Sequence, residues 1–394
     1  MQTNQQGTPD NNDKYRWSDY IPPVRITVWV WKICGLYNGE PLSSSYRAYR
    51  AVFHIFLMVV YLFTLSLNIF VMQAFEQLVL YIMYIVFTEI VMALKAIVTY
   101  YKFDQLCDLY RQTLASDFKP LDAEEEQLHR KGVASINYYL YPYLITTNMA
   151  VASSCLYLLQ EDYRLPYFPW ILGIEYGPTK RLNYGLLFAY QVVGMYLHML
   201  INVAIDVQLS YLLGMISIQL DLIGKRFRTL HTSEQFRESF VDLMNHYQKV
   251  QRMTAEIEKL YSSAYFAQFG SSGLVICASA FKASSMFNLY ELTAIQNLLY
   301  MLSMIFQMFL PCRFGNEVTH KSHLLRTSIY SSRWYEMGLQ ERKTLRMLLQ
   351  RMNKPLTLKA YYFFNYNLQA FTTVTLNMAY SLYALLQRNA LKQV

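Results

Sequence analysis

Acidic side chains inside long apolar runs are the first residues of this chain whose chemistry needs explaining. Glu89 interrupts the apolar stretch 78–101, and Asp206 lies toward the inner end of a span that begins near residue 183. A charge at bilayer depth is expensive, so each carries two readings. One is ion coupling or gating; the other is a buried polar pair or hydrogen-bonding network that holds a bundle together. Lys95 and Lys282 lie near the ends of their apolar runs, where a long side chain is expected to snorkel to water. Toward the C-terminus, Thr373, Asn377, Ser381 and Leu385 recur every four residues and share one helical face. Such a stripe can line a water-filled path, with Leu385 as a hydrophobic constriction. It can equally be a helix–helix contact built from small polar side chains.

A second group consists of Tyr81, Tyr84, Thr88, Met149, Ser153, Tyr157, Phe188, Gln191, Met195, Tyr300 and Met301, all in the outer halves of apolar runs. Aromatic and methionine side chains with a few hydroxyls can enclose a small apolar ligand with few directional bonds, or simply pack. Soluble-enzyme chemistry has little support. His320 and His323 form an HxxH pair with no evident third ligand or general base, and no glycine-rich phosphate loop, HExxH or GxSxG occurs. The chain is therefore not expected to be an enzyme, and no cofactor or metal is implied. Cys34, Cys107, Cys155, Cys277 and Cys312 are scattered without CxxC pairing, so neither a disulfide framework nor a zinc site is expected.

The elements that must position these residues follow from composition. Of 394 residues, 54% are hydrophobic and 16% charged, against about a quarter charged in a soluble domain. Crossing the hydrocarbon core takes about 20 mainly apolar residues. Stretches 51–75, 132–160, 182–205, 260–281, 292–312 and 360–387 meet this without Asp, Glu, Lys or Arg, and 78–101 is broken only by Glu89 and Lys95. An all-α, seven-transmembrane helix bundle is the expected fold, with spans near 48–74, 78–101, 136–159, 183–213, 262–283, 292–312 and 360–387. The first twenty residues contain no apolar core of a leader peptide.

Orientation follows from the basic residues. Twenty-eight Lys and Arg fall before residue 51 and in 102–135, 214–261 and 313–359, against 5 on the opposite side. Because positive segments stay in the cytosol, the N-terminus is expected inside and the C-terminus outside, the reverse of G-protein-coupled receptors. The same asymmetry accounts for the net charge of +8 without invoking nucleic acid. No Asn-X-Ser/Thr acceptor occurs, in keeping with small outer loops. Segments 214–261 and 339–352 carry apolar residues at helical spacing, which predicts helices continuing below the membrane before Pro355 breaks the chain. The expected organisation is a cytoplasmic segment 1–47, spans one to six over 48–312, cytosolic anchor helices over 313–359, a pore-lining seventh span over 360–387 and an outer tail 388–394.

Segment 353–387 resembles the C-terminal signature of insect odorant receptors: Lys354-Pro355, the pair Phe363-Phe364, Phe371, and Ser381 after Tyr380 ahead of Leu385 and Leu386. A second similarity covers 164–228, through RLPYFPW, Tyr190-Gln191, Asp206 and QLDLIGKRFR. Gustatory receptors share the architecture, but their tail pattern of Thr-Tyr followed by Gln-Phe is replaced here by Ala379-Tyr380 with no Gln-Phe. The family's common co-receptor has an extended second cytosolic loop, whereas 102–135 is short, so the chain resembles an odorant-tuning subunit. The resemblance implies a subunit of a ligand-gated, non-selective cation channel in the dendritic plasma membrane of olfactory neurons, forming a tetramer with the co-receptor. It also implies a small volatile ligand between the outer parts of spans two, three, four and six, and a pore lined by the last span. A gustatory-type channel, a G-protein-coupled receptor and a secondary transporter using Glu89 and Asp206 are the alternatives. No Asp-Arg-Tyr or Asn-Pro-x-x-Tyr element lies at the required span ends, and no internal repeat is evident.

Overall fold

The computed structural model describes residues 22–39, 43–71, 84–153, 179–230, 236–285, 292–361 and 363–373, with scattered positions between 155 and 177 and between 377 and 384. Helix α1 spans Pro22–Ile33 and α2 spans Ser44–Phe53. A π-helical turn, His54–Val60, leads into α3 (Tyr61–Val71), and α4 covers Tyr84–Tyr101. Then come α5 (Phe103–Thr113), α6 (Ala123–Ala152), α7 (Arg181–Thr229), α8 (Phe236–Ser285), α9 (Leu292–Tyr330) and α10 (Leu339–Arg351). A short antiparallel hairpin pairs β1 (Lys359–Ala360) with β2 (Phe364–Asn365) ahead of α11 (Leu368–Thr372).

Among the described residues, three helices are long and apolar enough to cross a membrane: Ser44–Phe70, Arg181–Thr229 and Ala294–Tyr330. Helices α4, α6 and α8 occupy the stretches expected to span near 78–101, 136–159 and 262–283. At 49, 50 and 39 residues, α7, α8 and α9 far exceed the roughly 20 needed to cross the hydrocarbon core. They therefore carry the bundle well beyond one face of the membrane, through segments that the sequence marks as helical.

Helix α7 is the hub. Every residue from Ile201 to Leu220 is buried, with α1, α4, α6, α8 and α9 packed around it. A helix that is apolar or self-satisfied all round belongs at the centre of a bundle. Close approach is made possible at Gly194, where a Cβ would sit 2.5 Å from the Tyr61 ring, and at Gly315, where it would run into the Tyr366 backbone carbonyl.

Two features depart from the sequence reading. Residues 22–33, expected as part of an N-terminal segment, form a helix that buries Val24, Val28 and Trp31 against the bundle. Trp31 meets Phe103 and Tyr110 edge-on at 5.5 and 6.2 Å. The second concerns the start of the last span. Expected to be helical from 360, the chain forms the hairpin first, and α11 begins only after Asn367, whose side-chain oxygen accepts from the Ala370 amide at 2.8 Å. The Ser262 hydroxyl accepts from the Tyr361 amide at 2.7 Å, and Phe364 stacks on Phe269 at 5.4 Å, so α8 holds the hairpin in place.

At the end of the bundle rich in basic residues, α6 starts on a reciprocal cap: Asp122 accepts from the Glu125 amide (2.6 Å) while Glu125 accepts from the Leu121 amide (2.8 Å). Arg226 of α7 clamps Glu125 with two bonds of 2.9 and 2.8 Å. Burial works to raise the Glu125 carboxyl, but the guanidinium and the Leu121 amide hold it below the ordinary glutamate range.

Candidate ligand cavity

A cavity of about 90 Å³ opens between α4, α6, α7 and α9. Helical spacing explains which side chains reach it. Thr88, Glu89 and Met92 lie on one face of α4, and Tyr143, Thr147 and Val151 lie on one face of α6. From α7 come Met195, His198, Met199 and Asn202, and from α9 Tyr300, Ser303, Met304 and Gln307. Met92, Met195, Met199 and Met304 share the apolar part with Ile85, Ala150, Val151 and Val203, and the thioethers make it a soft lining that adapts to small ligands.

The polar groups on the wall are organised. The Thr88 and Tyr300 hydroxyls lie 2.6 Å apart, tying α4 to α9. His198 Nε2 donates to the Leu57 carbonyl in the π-helical turn (2.5 Å), and its Nδ1 lies 2.6 Å from Glu89 Oε2. One further proton is therefore shared between imidazole and carboxyl, and the pair is neutral overall whichever group holds it.

At the inner end, Asp206 collects four partners. Lys95 Nζ donates to its Oδ1 at 2.7 Å, and the Tyr265 hydroxyl donates to the same oxygen. Tyr143 and Gln307 each donate to Oδ2 at 3.0 Å. Lys95 also donates to Asn202 Oδ1 at 3.0 Å and lies over the Tyr265 ring. The network ties α4, α6, α7, α8 and α9 together. A buried ion pair survives where hydrogen bonds satisfy its remaining valences, as here.

The expected snorkelling of Lys95 is corrected by this geometry. The residue is 1% exposed because its side chain points into the bundle, where Asp206 neutralises it at less cost than an extended route to water. Of the two readings of Glu89 and Asp206, the described contacts are those of buried polar pairs. The Lys282 side chain lies outside the described residues.

Among the residues expected to bind ligand, Thr88, Met195 and Tyr300 line the cavity. Gln191 stands just behind its wall: its Oε1 accepts from the Tyr167 amide at 3.1 Å, holding a lining residue, and its carbonyl accepts from Tyr61. Phe188 is buried against Tyr184, Ser153 donates to the Ala150 carbonyl, and Met301 is half-buried; none of the three is on the lining. Met149 is not on the lining either. It is 52% exposed on the outer surface of α6, because Thr147, Ala150 and Val151 take the inward face. Tyr84 lies in α4 with its side chain outside the described residues, as are Tyr81 and Tyr157 entirely. On the last span, Thr373 and Asn377 are exposed, and Thr373 donates to the Gln369 carbonyl at 2.9 Å. Ser381 and Leu385 lie outside the described residues.

Sequence reasoning missed the deeper lining, notably Met92, Tyr143, His198, Asn202 and Gln307. The signal was available. Continuing inward by three and four residues from Thr88, Met195 and Tyr300 reaches most of it. The aromatic-rich outer halves drew attention to the right helices at too shallow a depth.

The cavity lies inside a many-helix bundle in which three of the described helices are long and apolar enough to cross a membrane. Comparison makes the class specific. The profile of the family described as 7tm Odorant receptor matches residues 75–380. Odorant receptor 94a of Drosophila melanogaster is 26% identical over 388 residues, covering 95% of this chain and 98% of that one. The odorant receptor coreceptor of Aedes aegypti is 31% identical over 128 residues, 32% of this chain and 26% of that one. The solved structure of the insect olfactory receptor OR5 from Machilis hrabei in complex with eugenol superposes with a TM-score of 0.79 at 14% identity, covering 93% of this chain and 99% of that one. The chain belongs to the 7tm odorant receptor family, a family of multi-pass membrane receptors and not of enzymes.

Proposed function

We propose that this chain is the odorant-tuning subunit of a ligand-gated cation channel, and that a small volatile molecule binds in the cavity between α4, α6, α7 and α9. The observation carrying this reading is the cavity itself: it lies between four helices, its wall mixes methionine, aliphatic and tyrosine side chains with polar groups that are mostly engaged with one another, and the Asp206 network closes its inner end. Burying some 200–300 Å² of apolar ligand surface contributes roughly 5–8 kcal/mol, a scale on which micromolar binding, about 8 kcal/mol, needs no charged contact. A ligand gates only through its differential affinity for closed and open states, and a chamber walled by four helices senses their relative movement.

In this reading the basic end of the bundle is cytosolic and carries the contacts with the co-receptor in a tetramer. The segment from α11 onward lines the pore along Thr373, Asn377, Ser381 and Leu385, and the channel resides in the dendritic membrane of olfactory neurons. The likeness to odorant receptor 94a along nearly its whole length, and the more limited likeness to co-receptors, favour the tuning role. The transporter alternative loses its motivating residues, since Asp206 and Glu89 are engaged by Lys95 and His198.

The test is an odorant panel recorded from cells expressing the chain with and without the co-receptor, beside Met195→Trp. Odour-evoked cation current is expected only with co-expression, and Met195→Trp, which fills the cavity, is expected to raise the half-maximal concentration at least tenfold for every active odorant at normal surface expression. Unchanged potency in that variant rejects the cavity as the ligand site.

A further inference from the structure

The Lys95–Asp206 pair does more than close the cavity, because it fixes which end of each neighbouring amide is taken and which is left over. Asn202 Oδ1 accepts from the Lys95 ammonium at 3.0 Å, and an ammonium cannot bond the NH2 end. Gln307 Nε2 donates to Asp206 Oδ2 at 3.0 Å, and a carboxylate cannot bond the C=O end. Neither amide can flip without opposing a full charge. Both residues are on the cavity lining and both are at least nine-tenths buried. What remains is the acceptor Gln307 Oε1 and, as donors, both hydrogens of the Asn202 NH2 and the second hydrogen of Gln307 Nε2. Asn202 Nδ2 and Gln307 Oε1 make no hydrogen bond among the described residues.

Both amides line the same cavity and are linked in sequence through the ion pair, Asn202 to Lys95 at 3.0 Å, Lys95 to Asp206 at 2.7 Å and Asp206 to Gln307 at 3.0 Å; Asn202 and Asp206, four residues apart on α7, share a face. Other polar groups on this part of the wall are committed: Tyr143 to Asp206, Thr147 to the Tyr143 carbonyl, and Ser303 to the Leu299 carbonyl. Buried polar groups left unpaired cost free energy, and a ligand that pairs them recovers it.

We propose that the inner end of the cavity recognises a hydroxyl group, so that the preferred ligands are neutral alcohols or phenols with an apolar body directed toward the methionines. A hydroxyl accepts from Asn202 and donates to Gln307 at once. An ether, ester or ketone accepts only, leaving Gln307 Oε1 unpaired. Ionised acids and amines are disfavoured because Lys95 with Asp206, and His198 with Glu89, leave the wall with no net charge to offset theirs. This inference rests on the cavity being the ligand site.

The experiment compares matched pairs, 4-methylphenol with 4-methylanisole and 1-hexanol with 1-methoxypentane, on cells co-expressing the co-receptor. In the unaltered receptor each hydroxyl compound is expected to be at least tenfold more potent than its ether. Gln307→Met and Asn202→Leu, each close in size to the residue replaced, should bring that ratio within threefold while the ether response persists. A ratio within one variant is insensitive to how much protein reaches the surface. Should either variant fail to fold, Asn202→Ala serves in its place. Equal potency of hydroxyl compound and ether in the unaltered receptor overturns the inference, as does a ratio unchanged by the substitutions. Loss of all responses in Met195→Trp alongside a ratio near one sinks only the hydroxyl preference. Full responses in Met195→Trp sink the cavity itself.

Discussion

At the scale of single residues, the energetic centre is the pairing of Lys95 with Asp206 under an apolar roof. Removing one partner leaves a buried charge uncompensated, which costs about 3–5 kcal/mol, whereas replacing both with apolar groups of similar volume is often close to neutral. Lys95→Met alone is therefore expected to lower thermal stability in detergent sharply. The double variant Lys95→Met with Asp206→Leu should recover part of the loss, though Tyr143, Tyr265 and Gln307 would then lack their acceptor. Melting curves of the two proteins decide this; a double variant no more stable than the single one contradicts the pairing. Sequence reading placed Asp206 and Glu89 at bilayer depth but could not see their partners. Lys95 and Asp206 are separated by 111 residues, and periodicity along one helix says nothing about which face of another it meets. His198 was overlooked because an isolated histidine in an apolar run carries no spacing signal.

At the scale of elements, the junction of α6, α7 and α8 beyond the membrane is an electrostatic clamp. His246 of α8 lies within it, with Arg226 Nη1 3.4 Å from its Nδ1, the Phe118 ring at 5.2 Å, and Lys249 paired to Asp117 nearby. Burial, reinforced by the Arg226 charge, pushes the imidazole from its ordinary 6.5 down to about 4. As pH falls below 6.5 the unfolded chain takes up this proton before the folded one, so the contribution of neutral His246 is complete above that pH and is lost progressively toward 4. Melting temperature measured between pH 7 and pH 4 should fall, and His246→Gln should reduce that fall by several degrees; identical profiles would remove His246 from the account. The long helices themselves were legible, since Phe240, Leu243 and Tyr247 repeat at helical spacing and are buried in α8. The hairpin before α11 was not. A two-residue strand leaves no periodic trace, and the aromatic run 361–364 reads as readily as membrane helix. Helix α1 was missed through its polar flank, although Val24, Val28 and Trp31 already fall on one face.

At the scale of the whole molecule, orientation and ligand gating stand or fall together. With 28 basic residues on one side and 5 on the other, the C-terminus is expected outside. A C-terminal epitope tag should therefore stain on unpermeabilised cells; staining only after permeabilisation would invert the bundle. The seven-helix class was readable because it depends on run length and charge, which composition records directly. The depth of the cavity depends on how five helices meet around α7, and that is a property of packing. The central claim is that ligand occupies the chamber between α4, α6, α7 and α9, and a structure of the channel assembled with its co-receptor and an activating odorant tests it most directly. Ligand density beside Met195, Tyr300 and Gln307 is the predicted result; density lodged elsewhere, with this chamber empty, would contradict the account.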